Sequence, residues 1–154
     1  MSMTTNETPS VAELRPATLD DLAAITGLLE ESDLPTVGVK DALGGFIVAE
    51  ANGKLVGVVG LETCCRYALL RSTAVSNEWR GRRLGRQLVE RAIGEAESRG
   101  IDALYLLTTT AEQYFPTFGF SKVERSDVPD DVKATEEFRS ACPASATVMM
   151  LSLS

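Results

Sequence analysis

The chain has 154 residues, 44% apolar and 24% charged, the balance of one compact domain with a single hydrophobic core. A net charge of -7 argues against a general nucleic-acid binder, and the absence of histidine excludes Ser-His-Asp, Cys-His and HExxH chemistry. No apolar run approaches the ~20 residues that span a bilayer and the polar start lacks a signal-peptide core, so the expected address is cytoplasmic.

Residues 1–10 are small and polar and are expected to form a flexible tail, with one domain over 11–154. Val11 to Arg15 alternates weakly and suggests a first strand. Thr18 suits a helix N-cap, with Asp20 and Asp21 in the first turn and Leu22, Ile25, Leu28 and Leu29 on one face. Asp33 to Gly45, punctuated by Pro35 and Gly44-Gly45, reads as a loop or short helix. Phe46–Glu50 and Leu55–Leu61 flank Asn52-Gly53, a pair that tolerates the positive φ angles of a two-residue turn and predicts an antiparallel hairpin.

A further strand is expected over Tyr67–Val75 and a helix over Arg83–Ser98, where Leu84, Leu88, Val89, Ala92, Ile93 and Ala96 share a face and Gly100 caps the end. Ala103–Thr108 suits a buried strand, so 67–108 reads as strand, helix and parallel strand joined by a right-handed crossover. A short aromatic helix (Ala111–Phe118), a strand from Phe120, a polar helix over Asp130–Phe138 and a last strand over Thr147–Ser152 complete the chain. A hairpin followed by a crossover predicts a single α/β domain: a mixed sheet of six to seven strands with helices on both sides.

Three cysteines remain: Cys64, Cys65 and Cys142. Two adjacent thiols and one distant one, without histidine, are a poor zinc set, and their odd number argues against a disulfide framework. They are expected to be buried free thiols, and no metal is expected. Arsenic binding by the three is an open alternative. Eleven of the fifteen basic residues are arginine, which fits either a salt-loving host or GC-rich coding.

The segment richest in chemistry is Ser76 to Arg86, which joins a buried strand to a helix N-terminus. The first N–H groups of a helix lack intrahelical partners, the helix dipole places positive charge there, and glycines let a phosphate approach the backbone. Four arginines in the seven residues from Arg80 to Arg86 add a positive island to an acidic chain. Both GxxxxGK[ST] and GxGxxG are absent, which argues against an NTP or a dinucleotide. A solvated basic helix start, or nucleic-acid binding by the arginines, remains an alternative at this point.

Arg80-Gly81-Arg82-Arg83-Leu84-Gly85 resembles the Arg/Gln-x-x-Gly-x-Gly/Ala signature of the GNAT acetyltransferase superfamily, whose backbone amides hold the pyrophosphate of CoA. Ser72-Thr73-Ala74-Val75 resembles the strand that pairs with the pantetheine arm, and Phe115 to Phe120 the family's aromatic-x-x-x-Gly-Phe element. The resemblance implies acetyl-CoA as co-substrate, held by Thr73, Ala74, Val75, Arg80, Gly81, Arg82, Arg83, Leu84, Gly85 and Arg86, with amides near Val75 polarising the thioester carbonyl.

Two departures stand out. Arg83 replaces the first signature glycine, which is compatible with the loop if it keeps a negative φ and its side chain points away from the phosphate or reaches around it. Phe115 occupies the position where many members carry the tyrosine that protonates the departing thiolate. Tyr114 is adjacent but ~100° away around a helix, and is expected to be a core aromatic with Phe115 and Phe118. Ala68 to Ser72, Thr108 to Glu112 and Cys142 to Ala146 resemble the small GNAT proteins of arsenic-resistance operons, and the Thr-Thr-Thr-Ala-Glu run also resembles N-acetylglutamate synthases.

The implied reaction is direct attack of a neutral small-molecule amine on the thioester in a ternary complex. Without histidine, a carboxylate or a carboxylate-bound water must take the proton, and Glu62 at the end of the third strand is the candidate base. Arg71, expected by alternation to share a face with Thr73 and Val75, is the candidate for holding an acceptor carboxylate, unless it makes a structural ion pair. Arg66 is a weaker candidate of the same kind. An amino acid or amino-acid-like acid is the expected acceptor. A non-catalytic acyl-CoA-binding module is the alternative, and a homodimer is compatible with the resemblance.

Overall fold

Asn52 and Gly53, at φ 55° and 75°, turn β2 (Phe46–Ala51) back into β3 (Lys54–Cys64) as the hairpin reading requires. In the computed structural model, which describes residues 12–34, 36, 38–64, 66–81, 83–108, 113–133 and 146–153, this hairpin lies within a seven-stranded sheet. The other strands are β1 (Glu13–Pro16), β4 (Tyr67–Val75), β5 (Ala103–Thr108), β6 (Ser121–Val123) and β7 (Thr147–Ser152). Their order is β1-β2-β3-β4-β5-β7-β6, antiparallel throughout except for the parallel pair β4·β5.

Two helices cover opposite faces. On one face α1 (Leu22–Glu31) buries Ile25, Leu28 and Leu29 against Phe46, Val48, Val58 and Ala74. On the other, α2 (Leu84–Ser98) buries Leu84, Leu88, Val89, Ala92 and Ala96 against Val56, Val59, Leu61, Leu70 and Leu104. Full burial of a leucine-sized side chain contributes ~1.5–3 kcal/mol, so the two faces dominate the stabilisation. The short α3 (Asp130–Lys133) brings Val132 onto Leu69, Tyr105 and Val148. Among the described residues no helix is long and apolar enough to cross a membrane.

Several boundaries differ from the sequence reading. The helix expected from Thr18 begins as a 3-10 turn (Leu19–Asp21), in which the Thr18 N–H donates to Asp21 Oδ2 at 2.8 Å. Strand β3 continues to Cys64, so Glu62 lies inside it, opposite Leu69. The aromatic segment is a 3-10 turn over Phe115–Phe118, because Gly119 at φ 103° ends it after four residues. The tail over 1–10, the polar helix beyond Lys133, and Cys65 and Cys142 lie outside the described residues.

Candidate active site

Strands β4 and β5 pair only over Tyr67↔Ala103, Ala68↔Leu104 and Leu69↔Tyr105. Beyond Leu69 they part, and β4 runs on to Val75 bonded on its other edge to β3. Ser76 N–H donates to Val56 O at 2.9 Å, so alternation turns the N–H and C=O of Thr73 and Val75 away from β3, toward the gap. An open strand edge buried in a cleft is an invitation for an extended ligand with amide groups of its own.

Within β4 a bulge breaks the alternation. Val58 pairs with Ala74 but Gly60 pairs with Arg71, so β4 carries one extra residue there, and Ser72 adopts φ 60°. The bulge overturns the expected face of Arg71. Its guanidinium lies 6.0 Å from the Phe46 ring centroid, on the α1 face with Ala74, while Val75 packs on the α2 side. A Cβ on Gly60 would overlap the Phe46 ring, 2.5 Å from Cζ, so glycine there lets the ring lie flat beneath the arginine.

Glu62 and Arg71 form one unit. Arg71 Nη1 stands 3.1 Å from Glu62 Oε1, and Arg71 Nε donates to Ser72 Oγ at 3.0 Å. The Arg71 side chain is 0% exposed and that of Glu62 18%, so of the two only the carboxylate reaches solvent. The arginine fork open to an acceptor is therefore not what the fold presents: the bulge turns Arg71 inward, behind Glu62. Arg66, the weaker candidate, is exposed and paired with Asp102, Nε to Oδ2 at 2.7 Å.

The cleft opens onto a cavity of about 460 Å³ lined by Val75, Trp79, Arg80, Gly81, Arg83, Leu84, Gly85, Arg86 and Tyr114. Trp79, 4% exposed and packed in the α2 core, anchors the loop. Helix α2 makes its first internal bond from Gln87 N–H to Arg83 O (3.1 Å), which leaves the N–H groups of Leu84, Gly85 and Arg86 without intrahelical partners. Arg80 Nε donates to Val75 O at 3.3 Å. Arg82 lies outside the described residues.

Arg83 is a correction. Its φ is +65°, not negative: the loop keeps the left-handed turn that a signature glycine makes, and the arginine bears a strain of roughly 1 kcal/mol for it. Its side chain is exposed at the mouth of the cavity.

Tyr114 is a second correction. It is 39% exposed rather than a core aromatic, whereas Phe115 packs against the core beside Phe120 (5.8 Å between ring centroids). A Cβ on Gly85 would lie 3.7 Å from Val75 Cγ2 and 4.0 Å from the Tyr114 hydroxyl, so Gly85 floors a channel walled by these two residues. Burial pushes the phenol up from its usual range against the opposing pull of Arg86, so the hydroxyl keeps its proton. Arg86 is held beside it, 4.7 Å from the Phe118 ring centroid and 3.4 Å from Glu90. Sequence reasoning missed Trp79 and Tyr114 as lining residues; the only signal was their place beside the two motifs.

A second cavity, of about 500 Å³, lies beside Glu62 and Thr63, closed by the segment from Gly38 to Gly45 and by Arg99 at the end of α2. It shares no lining residue with the first. Among the described residues no group of three His, Cys, Asp or Glu comes together, and Cys64 is one residue of β3.

Comparison with known proteins places these features in a family. The family described as "Acetyltransferase (GNAT) domain" matches residues 42–122, just over half of the chain. An amino-acid acetyltransferase of Aeromonas salmonicida is 29% identical over 129 residues, 78% of this chain but 29% of that protein. An uncharacterised N-acetyltransferase of Chlorobaculum tepidum is 29% identical over 94 residues, 56% of each. The chain thus spans from under a third to just over half of these relatives. The N-acetylglutamate synthase of Neisseria gonorrhoeae, solved with coenzyme A and N-acetyl-glutamate, superposes with a TM-score of 0.79 at 21% identity, covering 93% of this chain and 35% of that one. A Mycobacterium tuberculosis protein solved with CoA superposes at 0.78 with 23% identity, over 92% of this chain and 99% of that one. At these identities the two structures speak for the fold.

Proposed function

Because the chain belongs to the GNAT acetyltransferase family, we propose that it transfers an acetyl group from acetyl-CoA to the amine of a small amino acid or amino-acid-like acid. The observation that carries this reading is the parting of β4 from β5 directly above a helix N-terminus whose leading N–H groups face a cavity. The pyrophosphate belongs at the amides of Leu84 to Arg86, with Arg80, Arg82, Arg83 and Arg86 supplying charge. The pantetheine arm belongs along Thr73, Ala74 and Val75, where the amide of Val75 matches its own. The residues fit such a ligand: Gly85 leaves open the channel between Val75 and Tyr114 that a side chain would fill.

Acetyl-CoA supplies an activated acyl carbon. The neutral amine attacks it, the C–N bond forms, the C–S bond breaks and the thiolate leaves with the electron pair, taking up through water the proton that the new amide nitrogen sheds. Glu62, directly or through one water, takes the proton that the ammonium loses, and Arg71 holds that carboxylate in place. The amide of Thr73, turned into the cleft on the side of the bulge, donates to the thioester oxygen as negative charge builds there. Tyr114 stands beside Gly85, at the phosphate end, so it grips the cofactor and is not the acid for the thiolate. A thiol with an ordinary pKa of ~8.5 leaves tolerably without one.

Free-CoA release measured against a panel of amino acids, polyamines and aminoglycosides tests the proposal. Transfer to amino acids above the other classes is expected, and release with none of them overturns it. A non-catalytic acyl-CoA-binding module is the second reading, favoured by the packing of Phe115 into the core where family members present an acid. Tight CoA binding without transfer to any amine would establish it. A cytoplasmic address, a homodimer and a role in arsenic resistance belong to the same proposal.

A further inference from the structure

With Arg71 turned inward, an acceptor carboxylate needs another partner, and the geometry points to Arg99. We infer that the cavity beside Glu62 is the acceptor pocket, that Arg99 binds the carboxylate of a free amino acid there, and that Asp41 and Glu62 receive its ammonium group. The inference rests on the acetyltransferase reading and gives its acceptor a pocket and a second set of residues.

Three observations carry it. The cavity lining holds two carboxylates, Asp41 and Glu62, and one guanidinium, Arg99, a charge set that complements a zwitterion. Asp41 and Arg99 keep capacity for a ligand. Asp41 makes no ion pair or hydrogen bond among the described residues, and Arg99 commits only Nε, to Glu95 Oε2 at 3.2 Å, with its side chain 35% exposed. The walls are also fixed. Arg99 caps α2, its N–H bonded to Glu95 O and Ala96 O, and a Cβ on Gly45 would overlap the Leu61 carbonyl oxygen, so the 43–45 turn is pressed onto β3.

Position agrees with chemistry. Glu62 lines this cavity and also touches Arg71, the residue that opens the β4 bulge. Val75, on the donor cavity, stands four residues beyond Arg71, roughly 13 Å at ~3.3 Å per residue. A donor entering at α2 and an acceptor entering beside Glu62 approach the bulge from opposite ends of β4, as direct transfer within a ternary complex requires. An arginine at a helix C-terminus is also stabilised by the dipole, so the fold tolerates it there without a full ion pair.

The test compares free amino acids with their carboxamides, which keep the amine and lose the acid. Arg99→Ala is expected to raise KM for the amino acids roughly ten- to a hundredfold, the usual worth of hydrogen bonds to a charged group. KM for the carboxamides and for acetyl-CoA should stay within about twofold, since only an i,i+4 surface pair is lost to the fold. Arg99→Lys should restore part of the loss, as a point charge replaces a fork. An equal effect on acids and carboxamides, or none on either, overturns the assignment. If no amine is acetylated the acetyltransferase reading falls, and calorimetry with L-glutamate and L-glutamine titrated into CoA-saturated protein decides this one separately. Binding that Arg99→Ala abolishes supports the pocket, and absence of binding to the wild-type chain overturns it.

Discussion

Replacing Glu62 by glutamine tests the ion pair and the proton acceptor together. The carboxylate lies 3.1 Å from a guanidinium whose side chain is 0% exposed. At that separation the gross attraction is about 5 kcal/mol for an effective dielectric constant of ~20. Breaking a buried pair costs ~3–5 kcal/mol, and glutamine keeps the shape and one acceptor oxygen at a site 18% exposed, so a net loss of about 2–3 kcal/mol is expected. In a domain of this size that lowers Tm by roughly 4–12 °C. Turnover should fall ~100-fold or more below the transition, a larger effect than the rise in the acceptor KM, as removal of a general base requires. Urea denaturation and steady-state kinetics over pH measure the two effects. Arg71→Met alone should also destabilise, and adding Glu62→Gln to it should cost less than the sum, because two neutral groups then meet. Strict additivity would refute the ion-pair reasoning, and an unchanged pH–rate profile would remove Glu62 as the base.

Gly85→Asp should fold normally, since its Cβ clears Val75 and Tyr114 by 3.7 Å or more, yet weaken CoA binding by over ~30-fold on calorimetry through charge repulsion at the phosphate site. Tyr114→Phe should raise the Kd for CoA by roughly three- to tenfold, the worth of one hydrogen bond, and leave kcat near wild type; a large fall in kcat at unchanged Kd would make it the acid instead. Arg83→Gly should stabilise the chain by about 0.5 kcal/mol, as relief of left-handed strain exceeds the entropy glycine loses on folding, and unchanged stability in urea would contradict that strain. Asp21, held by Arg15, keeps its carboxyl at about 2, below the usual 3.8, so its contribution is complete above about pH 4 and is lost as pH falls through 2. Urea curves of wild type and Asp21→Asn should therefore converge between pH 4 and 2, and a constant gap would contradict the linkage.

Much of the fold is local in origin and legible in the sequence. The Asn52-Gly53 turn needs only residues that accept positive φ, and α2 announces itself by apolar spacing, because periodicity depends on the chain alone. The donor loop was legible for the same reason: glycines, arginines and a helix start are properties of eleven consecutive residues. Arg71, Arg83, Tyr114 and Arg99 were not. The face of Arg71 depends on which strand carries the extra residue at the bulge, and that is set by the register of β3 against β4. Alternation predicts the wrong face wherever a bulge intervenes. Arg83 adopts a glycine's φ because the strand end and α2 are already held by the core, which outweighs a local preference of about 1 kcal/mol. Tyr114 lines the donor cavity because Phe115 and Phe118 take the core side of a turn too short for helical spacing. Arg99 and Glu62, 37 positions apart in sequence, line one cavity only because α2 ends beside the far end of β3. Sequence states what each segment does alone, whereas burial, face and neighbourhood are set by contacts between segments, which exist only once the chain has closed on itself.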